Sequence, residues 1–299
     1  MPKGTIDIRR RIKSVISTKK VTKAMELVSA AKMRKAIAAV LATRPYAKYA
    51  WEMVVNVSSK TEKKLHPLLV ERPVKKVGVI LISSNRGLCG GFNNAVAQRA
   101  VEAIKQENNA EAEIISFGKK GRDIIMRQGK KIIADFTKQD ITHSAQDVAG
   151  VSRLIIDEYN KGSFDKVYLV YTDFISTIKQ AVRAKQILPF TGEIDFELGS
   201  TSPADKVLTE NKLNYVYTFE PDVEMVLDFL LPRLLEVQIF QAVLESEASE
   251  HSVRMMTMRN ASDAATDMIF DLSLTYNQAR QSSITQEIAE ISAGSAALE

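Results

Sequence analysis

The sequence predicts an α/β domain with a mostly parallel sheet, flanked by two long terminal helices. Eleven of the thirteen glycines lie between Gly78 and Gly199, and residues 5–77 and 200–293 contain none. Glycine inside a helix costs about 0.8–1 kcal/mol relative to alanine, so long helices avoid it. The middle of the chain alternates short apolar runs with helical patterns, which is typical of parallel strands joined by crossover helices.

The first helix is predicted from about Thr5 to residue 59. Its apolar residues recur at spacings of three, four or seven: Ile8, Ile12, Val15, Ala24, Val28, Ala31, Ala38 and Leu41. Pro45 interrupts this pattern and should kink the helix or break it locally. The charged, proline-bearing stretch from Lys60 to Pro73 is predicted to be a linker.

The middle of the chain changes to strand-length apolar runs. These are residues 75–83, 113–117, 131–136 and 166–174. Helical patterns separate them, at 94–107, 122–128 and 145–159. Residues 177–188 are predicted to return as an edge strand, and residues 189–203 read as a loop. The alternation predicts a Rossmann-like sheet.

The last helix should begin after Glu220-Pro221-Asp222, because proline and acidic residues favour a helix N-terminus. We expect Pro232 to delay the regular helix by a turn or two. A frame that steps alternately by three and four then predicts a left-handed coiled-coil seam. Its members are Val223, Leu227, Leu230, Leu234, Val237, Gln241, Leu244, Ala248, His251, Met255, Met258, Ser262, Ala265, Ile269, Leu272 and Tyr276.

The predicted organisation therefore has four parts: an N-terminal coiled-coil helix (1–60), a linker (61–74), an α/β domain (75–203) and a C-terminal coiled-coil helix (204–299). The two ends are electrostatic opposites. Residues 1–50 contain thirteen Lys and Arg against Asp7 and Glu26, a net charge of +11. Residues 205–299 contain six basic and sixteen acidic residues, a net charge of −10. Two such helices attract each other when they lie antiparallel.

Composition excludes several classes of protein. No apolar run is long enough to span a membrane, and the basic N-terminus lacks the apolar stretch of a secretory signal. We therefore expect a soluble, cytoplasmic chain. The single cysteine, Cys89, excludes an internal disulfide and a cysteine metal cluster. Three widely separated histidines offer little for a metal site or a catalytic triad.

The turn after the first strand, SSNRGLCGGFN (83–93), lies where a nucleotide-binding protein holds phosphate. Its spacing matches neither G-x-G-x-x-G nor the phosphate loop that ends in Gly-Lys-Ser/Thr. The favoured interpretation is that Gly87, Gly90 and Gly91 permit a tight turn and close helix packing. Gly118 and Gly121 likewise indicate a turn into a helix. We expect Cys89 to be a small buried residue rather than a reactive one.

Two polar stretches could bind partners. The basic cluster IRRRIK (8–13), with Lys19, Lys20 and Lys23, suits nucleic acid, an acidic protein surface, or merely a solvated helix face. No aromatic residue precedes residue 46, which disfavours stacking on single strands. Near the other end, NQARQSSITQEIAEI (277–291) has lost the apolar seam. Its polar residues surround the helix, which suits either a helix enclosed by partners or a frayed terminus.

The chain resembles the gamma subunits of F-type ATP synthases, in their bacterial form. The residues that carry the resemblance are IRRRIKSVISTKKVTKAMELVSAAKMRKA (8–36), SSNRGLCGGFN (83–93) and YNQARQSSITQEIAEISAGSAAL (276–298). Two positions depart from the family pattern. Asn85 stands where the family more often has aspartate, and the stretch 261–265 lacks an asparagine that is common there. The paired cysteines of the chloroplast form are absent, so thiol regulation is not expected.

The resemblance implies a rotor shaft. The terminal helices would form an antiparallel coiled coil inside a ring of alpha and beta subunits, and the α/β domain would lie outside the ring, near the membrane. Rotation of the membrane c-ring would then drive the beta subunits through ATP synthesis or hydrolysis. The epsilon subunit is a further implied partner. The chain would be non-catalytic, bind no cofactor and no nucleic acid, and sit peripherally at the cytoplasmic face of the inner (plasma) membrane.

The resemblance also assigns contact residues. Met25 corresponds to the position that faces an acidic loop of a beta subunit, and its basic neighbours Lys19, Lys20 and Lys23 suit those acids. Residues that correspond to polar contacts with the alpha and beta subunits lie on the other helix. They are Arg254, Gln281, Thr285 and Glu287, with Arg280 beside them. Without the resemblance, a nucleotide-dependent enzyme or a basic coiled-coil protein that binds nucleic acid would remain open.

Overall fold

A computed structural model describes residues 3–60, 66–107, 110–138, 142, 144–190 and 222–296. The chain forms two compact units. The first contains residues 1–29 and 254–299, and the second contains residues 30–253.

A five-stranded sheet forms the centre of the second unit. Its strands are β1 (Lys76–Ile82), β2 (Glu111–Phe117), β3 (Lys131–Phe136), β4 (Lys166–Phe174) and β5 (Gln180–Leu188). They lie in the order β3-β2-β1-β4-β5. The first four strands pair in parallel, and β5 pairs antiparallel with β4 at the edge. The predicted parallel sheet and the returning edge strand are both confirmed.

Within the described residues, five α-helices accompany the sheet. They are α1 (Lys3–Lys60), α2 (Phe92–Gln106), α3 (Lys119–Arg127), α4 (Ala149–Asn160) and α5 (Val223–Ala296). Short 3-10 helices occur at Pro67–Leu69 and Ala145–Val148. One sheet face packs against α2 and α3, and the other against α4 and the first part of α5. Leu68 and Leu69, from the stretch predicted as a linker, are buried in the second of these cores.

Neither proline interrupts its helix. Helix α1 continues through Pro45, so it does not break there. Helix α5 starts at Val223 and contains Pro232, so the predicted delay of the regular helix is wrong. Asp222 Oδ1 accepts a hydrogen bond from the Met225 N–H at 2.8 Å, which caps the helix and allows it to start early. Of the predicted loop at 189–203, residues 191–203 lie outside the described residues.

The coiled-coil seam of α5 is confirmed, because every predicted member from Val223 to Tyr276 is buried or half-buried. The seam of α1 was only partly predicted. Ile8, Ile12 and Val15 face inward, but five predicted members are exposed: Ala24, Val28, Ala31, Ala38 and Leu41.

The observed seam of α1 continues at alternate spacings of four and three, but several of its members are polar. A search for apolar residues alone does not detect those members. After Val15 the seam runs through Lys19, Thr22, Glu26, Ser29, Met33, Ala36, Val40 and Thr43. Thr22 Oγ1 lies 2.7 Å from Ser262 Oγ, and Thr43 Oγ1 donates to Gln241 Oε1 at 2.7 Å. Later residues of α1 thus meet earlier residues of α5, as an antiparallel coiled coil requires.

Candidate functional site

Residues 241–252 of α5, here called the buried segment, cross the carboxyl edge of the sheet. All twelve residues are buried, although eight of them are Gln, Glu, Ser or His. Open α/β sheets hold their ligands in the crevice at the carboxyl ends of the strands. In this chain a helix of its own occupies that place.

On one side the buried segment binds the end of β4. Strand β1 pairs with β4 only as far as Val170, so the backbone of Thr172 lies beyond the ladder. The Thr172 N–H donates to Ser246 Oγ at 3.0 Å, and Ser249 Oγ donates to the Thr172 carbonyl at 3.4 Å. Ser252 Oγ donates to the Thr177 carbonyl at 2.6 Å. Serine side chains therefore satisfy backbone groups that the neighbouring strand leaves unpaired.

On the opposite side two glutamates of the buried segment accept hydrogen bonds from the segment that follows β3. Glu247 accepts from the Thr142 N–H at 3.1 Å and from Thr142 Oγ1 at 2.5 Å. Glu250 Oε2 accepts from Lys138 Nζ at 2.7 Å, and both of these side chains are buried. Burial raises the pKa of Glu247, whereas Lys138 and Thr142 act against that rise.

Helix α1 covers a third side of the buried segment. Ala36 and Val40 pack with Leu244, Ala248 and the strand residue Phe174 in one apolar cluster. Beside this cluster, Arg44 Nη2 donates to the Phe174 carbonyl at 3.1 Å. Arg44 Nε also lies 3.7 Å from Glu245 Oε1. The buried segment is thus held by α1, by β4 and by the segment after β3.

Ser83 and Asn93, at the two ends of the turn between β1 and α2, form hydrogen bonds with groups of the chain itself. Asn93 Oδ1 accepts from the Ser84 N–H at 3.0 Å. Ser83 Oγ accepts from the Gly121 N–H at 2.9 Å and donates to the Gly118 carbonyl at 2.9 Å. These groups are the ones that would bind phosphate in a nucleotide site. The tight turn is confirmed, with Gly90 at φ 55°, and Cys89 is buried as predicted. The predicted close helix packing is wrong for Gly87 and Gly91, because a Cβ atom at either position would meet no other atom within 4 Å.

The structure gives a physical reason for one of the two departures from the family pattern. Asn85 Nδ2 donates to the Lys138 carbonyl, which an aspartate could not do. In the stretch 261–265, Ser262 keeps a hydroxyl that contacts Thr22, and Ala264 is exposed. Nothing in the structure explains the missing asparagine.

The predicted basic residues of α1 are placed on different faces of the helix. Lys19 is half-buried in the seam, whereas Lys20 and Lys23 are exposed. Lys23 Nζ lies 2.9 Å from Glu26 Oε2, and Met25 is half-buried. The structure therefore does not gather the four side chains into one patch, although Lys20 and Lys23 are open to a partner.

The predicted contact residues of α5 divide into two groups. Arg254 is 8% exposed, so its side chain is engaged within the chain itself. Arg280, Gln281, Thr285 and Glu287 are exposed, and Glu287 accepts from Ser283 Oγ at 3.3 Å. Every residue from 284 to 293 is exposed, including Ile284, Ile288 and Ile291, which share one face by their spacing. Residues 284–293 are called the free end below.

The sequence did not reveal the contacts of the buried segment. Its sequence LESEASEHS (244–252) is acidic and rich in serine, which suggests a solvated surface. The available signal was that this polar stretch leaves the coiled-coil frame intact through Leu244, Ala248 and His251. A helix with polar side chains on its other faces can still be buried, provided that those side chains form hydrogen bonds with the backbone groups around them.

Comparisons with known proteins agree with one another. The pattern of the family described as ATP synthase matches residues 5–298. The ATP synthase gamma chain of Alkaliphilus metalliredigens is 41% identical over 295 residues, which cover 99% of both chains. That of Herpetosiphon aurantiacus is 43% identical over 302 residues, covering 98% of both.

Solved structures share the fold. A chain in the Euglena gracilis mitochondrial ATP synthase, in the structure of its OSCP/F1/c-ring in rotational state 3, has a TM-score of 0.71 at 20% identity. The alignment covers all of this chain and 95% of that one. A chain in the structure of the rotor of the same synthase, rotational state 1, has a TM-score of 0.66 at 21% identity, covering 95% of this chain and 100% of that one.

Proposed function

The chain belongs to the family of ATP synthase gamma chains, and on that premise we propose that it is the central rotor shaft of an F-type ATP synthase. In this role it couples proton-driven rotation of a membrane ring to conformational cycling of the catalytic sites on the beta subunits. The result is ATP synthesis or hydrolysis.

The observation that carries this proposal is the contrast between two segments of the single helix α5. The buried segment is held on several sides by the α/β domain and α1, mostly through hydrogen bonds and ion pairs. The free end is exposed on every face and keeps three isoleucines in solvent. A helix that is fixed at one segment and uncovered at another is suited to transmit torque into a surrounding sleeve of other subunits.

Rotation can drive catalysis because the shaft is not symmetric. Three identical catalytic subunits in a ring populate the same conformations unless a partner contacts each of them differently. Exposed side chains such as Arg280 and Gln281 contact each beta subunit differently at a given rotor angle. These differential contacts bias the population of each conformation, and rotation transfers the bias to the next subunit.

The proposed contacts follow the exposed charges. Lys20 and Lys23 face solvent and suit an acidic loop of a beta subunit, with Met25 and Lys19 closer to the seam. Arg280, Gln281, Thr285 and Glu287 supply donors and acceptors near and on the free end. Arg254 joins them in the proposal, but its burial indicates that it acts by fixing α5 as well as by touching a partner.

We further propose that the chain is non-catalytic and holds no nucleotide. Two observations support this: the buried segment fills the crevice at the carboxyl edge of the sheet, and Ser83 and Asn93 occupy the hydrogen-bonding groups of the first turn. Calorimetry with ATP and with a dinucleotide should therefore detect no binding to the isolated chain. Saturable binding would favour the alternative of a nucleotide-dependent enzyme.

The remaining partners are the epsilon subunit and the membrane c-ring, which we place at the α/β domain on the cytoplasmic side of the membrane. No helix in the described part of the chain has the length and apolar character needed to cross a membrane. Attachment to the membrane would therefore occur through the partner subunits.

The test uses the complex with the alpha and beta subunits of the same organism. Gln281→Ala should lower rotation-coupled ATP hydrolysis, because Gln281 is exposed near the free end. Gln98→Ala is the matched control, since Gln98 is an exposed glutamine on α2 whose Nε2 donates to Glu102 Oε1, one turn along the same helix. Equal turnover and coupling in the two variants would remove Gln281 from the contact set, and failure of the chain to co-purify with both subunits would overturn the proposed function.

A further inference from the structure

Two carboxyl groups face each other inside the second unit, where the buried segment meets the end of β4. Glu245 of α5 is fully buried, and Asp173 of β4 is 2% exposed. The Glu245 carboxyl lies within hydrogen-bonding reach of the Asp173 carboxyl. If both carboxyl groups were ionised in such a buried contact, they would repel each other strongly.

The neighbours of the four carboxyl oxygens indicate where a proton belongs. Asp173 Oδ2 accepts from Arg183 Nε at 2.8 Å, and Glu245 Oε1 accepts from Gln241 Nε2 at 3.0 Å. The other oxygen of each group, Asp173 Oδ1 and Glu245 Oε2, is buried without a donor among the described residues. A single proton on Glu245 Oε2, donated to Asp173 Oδ1, satisfies both atoms at once.

Three basic side chains lie near the pair. Burial and the neighbouring Asp173 raise the pKa of Glu245 against the opposing charge of Arg44. Strand β5 contributes Arg183, bound to Asp173, and Lys185, whose side chain lies on the same face of that strand. Helix α1 contributes Arg44, with Nε 3.7 Å from Glu245 Oε1. The other acids of the buried segment, Glu247 and Glu250, are bound to Thr142 and Lys138 instead.

We propose that Asp173 and Glu245 share one proton at neutral pH and thereby form a pH-sensitive latch that joins the shaft helix α5 to the sheet. The latch is a carboxylic acid that donates to a carboxylate, with the carboxylate held by Arg183. Loss of the proton leaves two buried negative charges in contact, so α5 and β4 then repel each other at this point. The proposal concerns the isolated chain and is independent of the proposed rotor function.

The direction of the pH effect follows from linkage. Burial, and then the neighbouring Asp173, raise the pKa of Glu245 to about 8. The folded chain therefore holds a proton that the unfolded chain releases above its ordinary pKa of 4.5. The stabilising contribution is complete below pH 4.5 and is lost as the pH rises through the folded-state pKa. Most of the remaining loss should occur between pH 7 and pH 9.

The test is thermal unfolding of the purified full chain at pH 7 and pH 9. For the wild type we expect an unfolding equilibrium constant about tenfold larger at pH 9, and a melting temperature about 2–4 °C lower. Glu245→Gln keeps a neutral donor toward Asp173 that does not titrate. The part of the stability loss between pH 7 and pH 9 that comes from Glu245 should therefore be absent from this variant. Glu290→Gln, at an exposed position of the same helix, should retain the wild-type loss. An equal decline in the wild type and in Glu245→Gln would overturn the proposal.

Infrared difference spectroscopy tests the same latch without relying on stability. Between pH 7 and pH 9 the folded wild type should lose the carbonyl stretch of one protonated carboxyl group. Folded Glu245→Gln should lack this signal, and Glu290→Gln should keep it. A wild-type spectrum with no protonated carboxyl at pH 7 would overturn the proposal, whether or not Glu245→Gln folds.

Discussion

Gly121 approaches Ser83 more closely than any residue with a side chain could. A Cβ atom on Gly121 would lie 2.6 Å from Ser83 Oγ and 2.9 Å from Leu81 Cδ2. The close approach lets the Gly121 N–H donate to Ser83 Oγ and brings the N-terminus of α3 onto β1. One contact therefore holds together the turn that follows β1 and the turn that leads into α3.

Gly121→Ala should destabilise the chain by about 1–3 kcal/mol, because the added methyl group overlaps the side chains of Ser83, directly after β1, and of Leu81 on β1. Gly87→Ala is the matched control, since no atom lies within 4 Å of its Cβ position. Denaturant unfolding of the two variants measures the difference. Equal stabilities would show that α3 shifts freely against β1.

Lys138→Met should destabilise the chain by about 3–5 kcal/mol, because it removes the cation that is paired with buried Glu250. Lys161→Met breaks a comparable ion pair with Glu158, but that lysine is 66% exposed. We expect the Lys161 variant to keep almost the stability of the wild type, because solvent screens an exposed ion pair. The comparison, made by urea unfolding, would contradict our account of the buried segment if both losses were small.

The hydroxyl contact between Thr22 and Ser262 should show energetic coupling. A double-mutant cycle with Thr22→Val and Ser262→Ala should give a coupling energy of about 0.5–1.5 kcal/mol, the usual net contribution of a hydrogen bond. Thermal unfolding of the wild type, the two single variants and the double variant supplies the four values. Strict additivity would indicate that the two hydroxyls do not bond in solution.

His66 should make the chain less stable in acid. Its Nδ1 accepts from the Leu68 N–H at 3.1 Å, and its Nε2 lies 3.0 Å from Asp228 Oδ1. Burial lowers the pKa of His66 from 6.5, although Asp228 opposes the shift. The stability that neutral His66 contributes to the folded chain is therefore complete above pH 6.5. It is lost as the pH falls from 6.5 through the folded-state pKa of His66.

His66→Asn tests this prediction, since asparagine can still accept the Leu68 N–H but does not titrate. Melting temperatures of the wild type and the variant should converge as the pH falls from 7.5 to 5.5. A constant difference across that range would exclude a titrating role for His66.

The strands and the frame of α5 could be predicted because their signals are local. Four apolar runs identified β1 to β4 almost to the residue, and a 3.5-residue repeat continued from Val223 to Tyr276. The prediction for α1 failed after Val15 because the seam there contains Lys19, Thr22 and Ser29. These side chains are partly or fully covered by a partner helix distant in sequence, and no pattern of apolar residues reveals that.

The buried segment was unpredictable for a related reason. Ser246 and Glu247 are ordinary surface residues until they meet Thr172 and Thr142, whose backbone groups are left unpaired by the ends of distant strands. The requirement for these side chains comes from the sheet topology. The free end, in contrast, could be anticipated, because the polar stretch after Tyr276 departs from the seam within the helix itself.

Rotation of the chain inside an assembled complex tests the central claim most directly. The alpha and beta subunits of the same organism are assembled with a Lys161→Cys variant and fixed to a surface, and a bead is attached through the new thiol. Lys161 is exposed, and the natural Cys89 is buried, so labelling is confined to one site. We predict unidirectional rotation of the bead that requires ATP. A complex that contains the chain and hydrolyses ATP while the bead stays still would contradict the account.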